Sequence, residues 1–254
     1  MKRIFTAIGL LFIFASSLSS AEKDVELSWE KAPVYLPGKL LSTAVDQIDI
    51  TKPTPVLIYL HGCTGIYGPH DLSWASYIAD QGFIVILPDS MARPGRISNC
   101  DPKLKGGTNA FPKAAKYRQE EITYALSQVM ASPWADKKNI FLMGHSEGGI
   151  ATAQSPHLEF AGKIISGWTC TNKNNSSYDG IYSPKNQPIL AVASIDDEWR
   201  KGKPVEGRCA DKADGRSNFR QIDLEGWTHG TYGNSDARKG VKEFLSQYLT
   251  KQTN

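Results

Sequence analysis

The chain has 254 residues, 41% of them hydrophobic and 22% charged, with 29 Lys and Arg against 26 Asp and Glu. That length and composition predict a single domain with a substantial core. The near-balance of charge, without clustered Lys and Arg, excludes nucleic acid as an expected partner.

Residues 1–21 open with Lys2 and Arg3, run through an apolar stretch from Ile4 to Phe14 and end in Ser19-Ser20-Ala21. This is the pattern of a signal peptide cleaved before Glu22, leaving a mature domain of residues 22–254. The apolar run is short for a permanent membrane helix, so no stable membrane insertion is expected after cleavage. No cysteine stands at the cleavage point to mark a lipoprotein. Removal of the leader leaves 27 Lys and Arg against 26 Asp and Glu.

Along the mature chain, residues 31–50 alternate and predict antiparallel edge strands. Short β-branched runs then recur at 55–60, 83–88, 139–144, 163–168, 188–194 and 219–224, mostly apolar, as strands covered on both faces should be. Amphipathic segments at 72–81, 114–131, 147–154 and 236–249 supply helices; in the last, Val241, Phe244, Leu245 and Tyr248 share a face. The alternation predicts an α/β fold with a mostly parallel sheet and helices on both faces. Two Gly-rich stretches, 89–113 and 196–218, follow predicted strands and are candidates for the rim of a ligand site. No internal repeat or linker marks a second domain.

Cys63, Cys100, Cys170 and Cys209 all lie in the exported part. An oxidising compartment, periplasmic or extracellular, would let them form two disulfides, with three connectivities open. No pair has the short spacing of a zinc site.

Gly144-His145-Ser146-Glu147-Gly148-Gly149 follows a predicted strand and opens a predicted helix. Glycines two before and two after Ser146 leave room for the tight strand-to-helix turn that exposes a nucleophilic hydroxyl. A serine needs a histidine to take its proton and an acid to orient that histidine. His145 adjoins the serine, with a side chain expected to point away; His61, His70 and His157 lie elsewhere. His229, between the last predicted strand and the C-terminal helix, fits the chain order nucleophile, acid, histidine. The acid follows the 188–194 strand, where Asp197 is the choice over Asp196 because Ser194 stands three positions before it. For the oxyanion, the main-chain N–H of Glu147 and that of Cys63, with Thr64 in reserve, are the expected donors.

These residues resemble the dienelactone hydrolase-related branch of the α/β-hydrolases, its exported members in particular. The resemblance spans most of 55–250 and rests on His61-Gly-Cys-Thr-Gly65, Pro88-Asp89-Ser90, Arg93-Pro-Gly-Arg96, Tyr117-Arg-Gln-Glu120, Pro133-Trp134-Ala-Asp136, the Ser146 elbow, Asp197-Glu-Trp199 and His229-Gly230. It implies the α/β-hydrolase fold with little or no lid, no metal or other cofactor, and hydrolysis of small or medium esters and lactones. The founding members use a cysteine nucleophile, so serine here favours a general esterase. Arg93, Arg96 and Arg118 are expected to pair with Asp89, Glu120 or Glu121 rather than to bind a substrate carboxylate. The expected partner is a small-molecule ester, and the protein a monomer or weak oligomer. The rival functions are an amidase, peptidase or acyltransferase using the same triad, and a non-catalytic binding protein on the same fold.

Overall fold

The computed structural model describes residues 20–100 and 110–250. The chain begins with helix α1 (Ser20–Glu30) and short strand β1 (Val34–Tyr35), followed by β2 (Thr54–Leu60), α2 (Ser73–Ala79) and β3 (Ile84–Ile86). Then come α3 (Ala110–Ala131), β4 (Ala135–His145), α4 (Glu147–Gln154), β5 (Gly162–Ser166), β6 (Ile189–Ser194), β7 (Phe219–Leu224) and α5 (Ser235–Tyr248). The strands form one sheet in the order β1-β3-β2-β4-β5-β6-β7, parallel except at the β1 edge.

Period-two alternation along each strand divides the core between the faces of the sheet. Leu57, Tyr59, Val85, Phe141 and Met143 pack with Trp74 and Ile78 of α2 and with Val241 and Phe244 of α5. Val56, Ile58, Leu60, Ile84, Ile86, Ile140 and Leu142 pack on the other face with Ile122 and Val129 of α3 and Trp29 of α1. Each fully buried aliphatic side chain contributes about 1.5–3 kcal/mol. A third cluster, around Ile150, Ile165, Trp168 and Ile189, seats α4.

All six strands read from apolar runs are present, and the four predicted helices stand within a few residues of their expected bounds. Residues Gly68–Leu72 wind as a π-helical turn directly into α2. Two expectations change. The 31–50 region forms one two-residue strand and a single bridge, Val34 to Thr43, because Pro37-Gly38 turns the chain with Gly38 at φ +70°. Strand β5 ends at Ser166 rather than 168, since Gly167 and Cys170 adopt φ +59° and +57°.

Helix α1 lies outside the elements the sequence predicts. It starts at Ser20, so the expected cleavage point lies within its first turn, and residues 1–19 of the expected leader lie outside the described residues. Its buried Val25 and Trp29 join the core, and Ser28 O accepts from Asp89 N at 2.8 Å. No helix among the described residues is long and apolar enough to cross a membrane.

Candidate active site

Register aligns the carboxyl ends of the central strands: Leu60 pairs with Gly144, His145 with Ser166, and Ser194 with Leu224. The loops leaving β2, β4, β6 and β7 therefore open at one edge, where parallel sheets hold ligands. A cavity of about 200 Å³ lies there, lined by Gly62, Cys63, Thr64, Tyr67, His70, Asp71, Cys100, His145, Ser146, Trp199, His229 and Gly230. Both Gly-rich stretches reach it, through Cys100 and Trp199; residues 101–109 of the first lie outside the described residues.

Ser146 stands between β4 and α4 at φ 55°, ψ −113°, a conformation unfavourable for a residue with a Cβ. The turn is held by Ser146 N donating to Ser166 O (2.9 Å) and Ile150 N donating to Ser146 O (3.0 Å). The flanking glycines are obligatory for contact reasons: a Cβ on Gly144 would sit 2.1 Å from Gly148 O, and one on Gly148 2.1 Å from Leu60 O. Across the cavity wall, Gly62 passes so close that a Cβ there would lie 3.5 Å from Ser146 Cβ. Glu147 opens α4, and its N–H belongs to the first turn, which has no intrahelical acceptor.

His229 Nδ1 lies 2.6 Å from Asp197 Oδ2. Asp197 is buried, also accepts from Trp199 N (2.9 Å), and has Arg200 Nε 3.1 Å from the same Oδ2, although that N–H is not aimed to hydrogen-bond. Burial pushes the Asp197 carboxyl up, but the His229 hydrogen bond and charge and Arg200 outweigh it and hold it below the ordinary value. Burial lowers the His229 pKa; the Asp197 hydrogen bond opposes this and Arg200 adds to it, leaving the imidazole below its usual value. Asp196, the alternative acid, is directed elsewhere, accepting from Gly226 N (2.7 Å) and Lys201 Nζ (2.6 Å). Ser194 Oγ donates to Trp227 O at 2.6 Å, tying the end of β6 to the loop that carries His229. Among the described residues no hydrogen bond links the Ser146 hydroxyl to the His229 ring.

The cysteines resolve their connectivity as Cys63–Cys100 and Cys170–Cys209. The first ties the glycine turn after β2 to the 89–100 loop on the cavity wall.

Two histidines differ from expectation. The His145 side chain does not leave the site: it lines the cavity, with its ring centroid 4.8 Å from that of His229 and 4.0 Å from that of His70. The reason is Gly167, whose missing Cβ would stand 2.6 Å from His145 Cε1 and whose absence lets the ring lie back over β5. His70, distant in sequence, receives the N–H of Thr231 on Nε2 at 3.0 Å, while its Nδ1 lies 2.9 Å from Asp71 Oδ1. Tyr59 Oη and Tyr67 N also donate to Asp71. His70 thus anchors the loop two residues beyond His229, a tertiary contact with no signal in the local sequence.

The arginines pair largely as expected, with one change of partner. Arg93 meets Glu120 (2.6 Å) and Glu121 (3.6 Å), and Arg118 meets Glu121 (3.3 Å). Glu147, not Asp89, is the third acid: it pairs with Arg118 at 3.0 Å and with Arg96. Asp89 instead accepts from Met91 N. Burial pushes the Glu147 carboxyl up, yet Arg118, Arg96 and Asn99 more than offset it and keep it below its ordinary value.

Among family models, and among curated protein sequences, nothing matches this chain. Solved structures do. A protein assigned as a dienelactone hydrolase from Klebsiella pneumoniae superposes with a TM-score of 0.59 at 12% identity, covering 80% of this chain and 90% of that one. A lidless α/β serine hydrolase from Xanthomonas campestris gives 0.58 at 14% identity, covering 87% and 90%. Esterase 2 of Thermogutta terrifontis gives 0.55 at 15% identity, covering 87% and 91%. Sequences this far apart share architecture above all, and the chain is built on the α/β-hydrolase fold.

Proposed function

We propose that this protein is an exported serine hydrolase that cleaves carboxylic esters through an acyl-enzyme on Ser146. The observation that carries the reading is that a strained, turn-held Ser146 and a His229 bonded to buried Asp197 line one cavity. His229 is neutral near pH 7, so Nε2 is free to take the serine proton while Nδ1–H donates to Asp197. Ser146 Oγ attacks the ester carbonyl, and the N–H groups of Cys63 and Glu147 receive the developing oxyanion. Collapse expels the alcohol with the proton from His229, and water activated by the same histidine releases the acid.

Esters are favoured as substrates by the company of the fold, since similar structures carry esterase and dienelactone hydrolase names. A serine in place of the cysteine of founding dienelactone hydrolases, and arginines already occupied by glutamates, favour an uncharged ester over a dienelactone carboxylate. The leader pattern of residues 1–21 and two disulfides support export. Labelling the purified protein with a fluorophosphonate, mapping the modified peptide and assaying a p-nitrophenyl ester series tests the reading. Label on Ser146 with turnover, both lost in Ser146→Ala, is the expected result; folded protein that neither labels nor turns over would overturn it.

A further inference from the structure

We infer that Arg118 is a positioning residue that sets both oxyanion donors at once, fixing and polarising the Gly62–Cys63 peptide and neutralising the carboxylate beside the Glu147 N–H. The inference rests on the serine-hydrolase reading above.

Arg118 is fully buried in α3, beneath the site rather than in it. Its Nη2 donates to His61 O at 2.8 Å and to Gly62 O at 3.2 Å, and its Nε donates to Glu147 Oε1 at 3.0 Å. One planar guanidinium therefore spans the loop after β2 and the first residue of α4, the two segments that supply the proposed donors.

The Gly62 carbonyl belongs to the same peptide group as the Cys63 N–H. A hydrogen bond to that oxygen fixes the peptide plane and makes the N–H at its other end a stronger donor. A second donor reinforces the first. Ser90 N donates to His61 Nε2 at 3.1 Å, so in the neutral ring Nδ1 carries the proton, and it lies 2.7 Å from Gly62 O. Burial and the Arg118 charge hold His61 well below the usual histidine value and keep it in that neutral form.

The Glu147 carboxylate poses the opposite problem, because a negative charge on the residue next to the nucleophile opposes an oxyanion forming there. Arg118 and Arg96 cancel it. A buried ion network is poor evidence of stabilisation by itself, since desolvation consumes most of its attraction. Here two of the bonds go to main-chain carbonyls of the oxyanion loop, which a purely structural pairing of acids and bases does not require.

The test compares wild type, Arg118→Lys and Arg118→Gln in p-nitrophenyl butyrate turnover and in inhibition by an alkyl trifluoromethyl ketone. In that adduct Ser146 Oγ bonds to the ketone carbon, its proton passes to His229, and the carbonyl oxygen becomes an alkoxide in the oxyanion hole. For Arg118→Gln, kcat is expected to fall about 10- to 100-fold with KM within about twofold, less than the loss of a direct donor. Ketone affinity should fall by the same factor as kcat/KM, and Arg118→Lys should recover part of both. If Arg118→Gln does not fold, Arg118→Lys and His61→Asn, which removes the other donor to Gly62 O, carry the same comparison. Unchanged kcat, or ketone affinity that does not follow kcat/KM, would overturn the role of Arg118 alone. Wild type that is not labelled by fluorophosphonate and has no turnover would overturn the hydrolase reading itself.

Discussion

His229 Nδ1 and Asp197 Oδ2 are 2.6 Å apart, and the carboxylate is 1% exposed while the imidazole reaches the cavity. The acid is thus shielded from water on the side where it holds the ring, which fixes one tautomer. Asp197→Asn should lower kcat by about a thousand- to ten-thousandfold, because the amide can donate to Nδ1 and stabilise the wrong tautomer. Steady-state kinetics of the folded variant measure this.

The pH profile follows from the same neighbours. Burial and Arg200 depress the His229 pKa, so the acid limb of kcat/KM should fall below the ordinary histidine value of about 6.5. Arg200→Met removes a charge that disfavours the imidazolium and should move that limb to higher pH. Loss of Asp197 removes the group that favours the imidazolium, so the residual activity of Asp197→Asn should have its limb at lower pH. A shift of both variants in one direction would contradict this assignment of causes.

Gly148 allows α4 to lie against β2. An added Cβ meets Leu60 O at 2.1 Å and Leu60 C at 2.7 Å, both backbone atoms that cannot swing aside. Gly148→Ala should cost about 3 kcal/mol or more, in the upper range of overpacking. Gly226→Ala is the control: unlike Gly148 it stands at positive φ (+61°), but it has nothing within 4 Å, so it should cost only about 1–2 kcal/mol for the left-handed backbone. Denaturant melts of the two variants give the comparison.

The two disulfides close loops of similar length, with separations of 37 and 39 residues, so loop-closure entropy assigns each about 4 kcal/mol. They differ in place. Cys63 and Cys100 both line the cavity, whereas Cys170 and Cys209 belong to the cluster that seats α4. Replacing either pair by serines should lower the melting temperature comparably, and only the Cys63–Cys100 variant should also lose most of its ester turnover at temperatures where it stays folded.

Trp199 and Tyr67 stand half exposed on the cavity wall, with the Trp199 ring centroid 6.0 Å from that of His229. Aromatic surfaces kept open to water at a cavity favour flat apolar groups. Trp199→Ala should raise KM for aryl-acyl esters about fivefold more than for alkyl esters of equal size, as competition assays with matched benzoate and hexanoate esters would show.

Much of the architecture was legible because it is local. Strands buried on both faces must be continuous apolar runs, so β2, β3, β6 and the later half of β4 stand out; the glycines around Ser146 announce a turn that nothing bulkier fits. The order of Ser146, Asp197 and His229 along the chain likewise follows the order of strand ends, and Asp197, the acid proposed over Asp196, is the one whose carboxylate lies against His229.

Where elements depend on distant partners, the sequence was silent or misleading. Helix α1 overlaps the end of a leader-like segment, so only its packing of Val25 and Trp29 reveals it. The edge of the sheet shrank to β1 because Pro37-Gly38 turns away before a second strand can pair.

What the sequence by itself determined is the doubly covered parallel sheet, the glycine-flanked turn at Ser146 and the order along the chain of the residues proposed for acyl transfer, since each follows from periodicity, turn chemistry or chain order. Only the tertiary structure decided the cysteine pairing, the return of His145 to the cavity over Gly167, the anchoring of the His229 loop by His70, and the bridge that Arg118 makes between Gly62 and Glu147. Those four are contacts between residues 22 to 161 positions apart, or ring placements set by a neighbouring strand, and a one-dimensional pattern carries no information on which distant groups burial will force together.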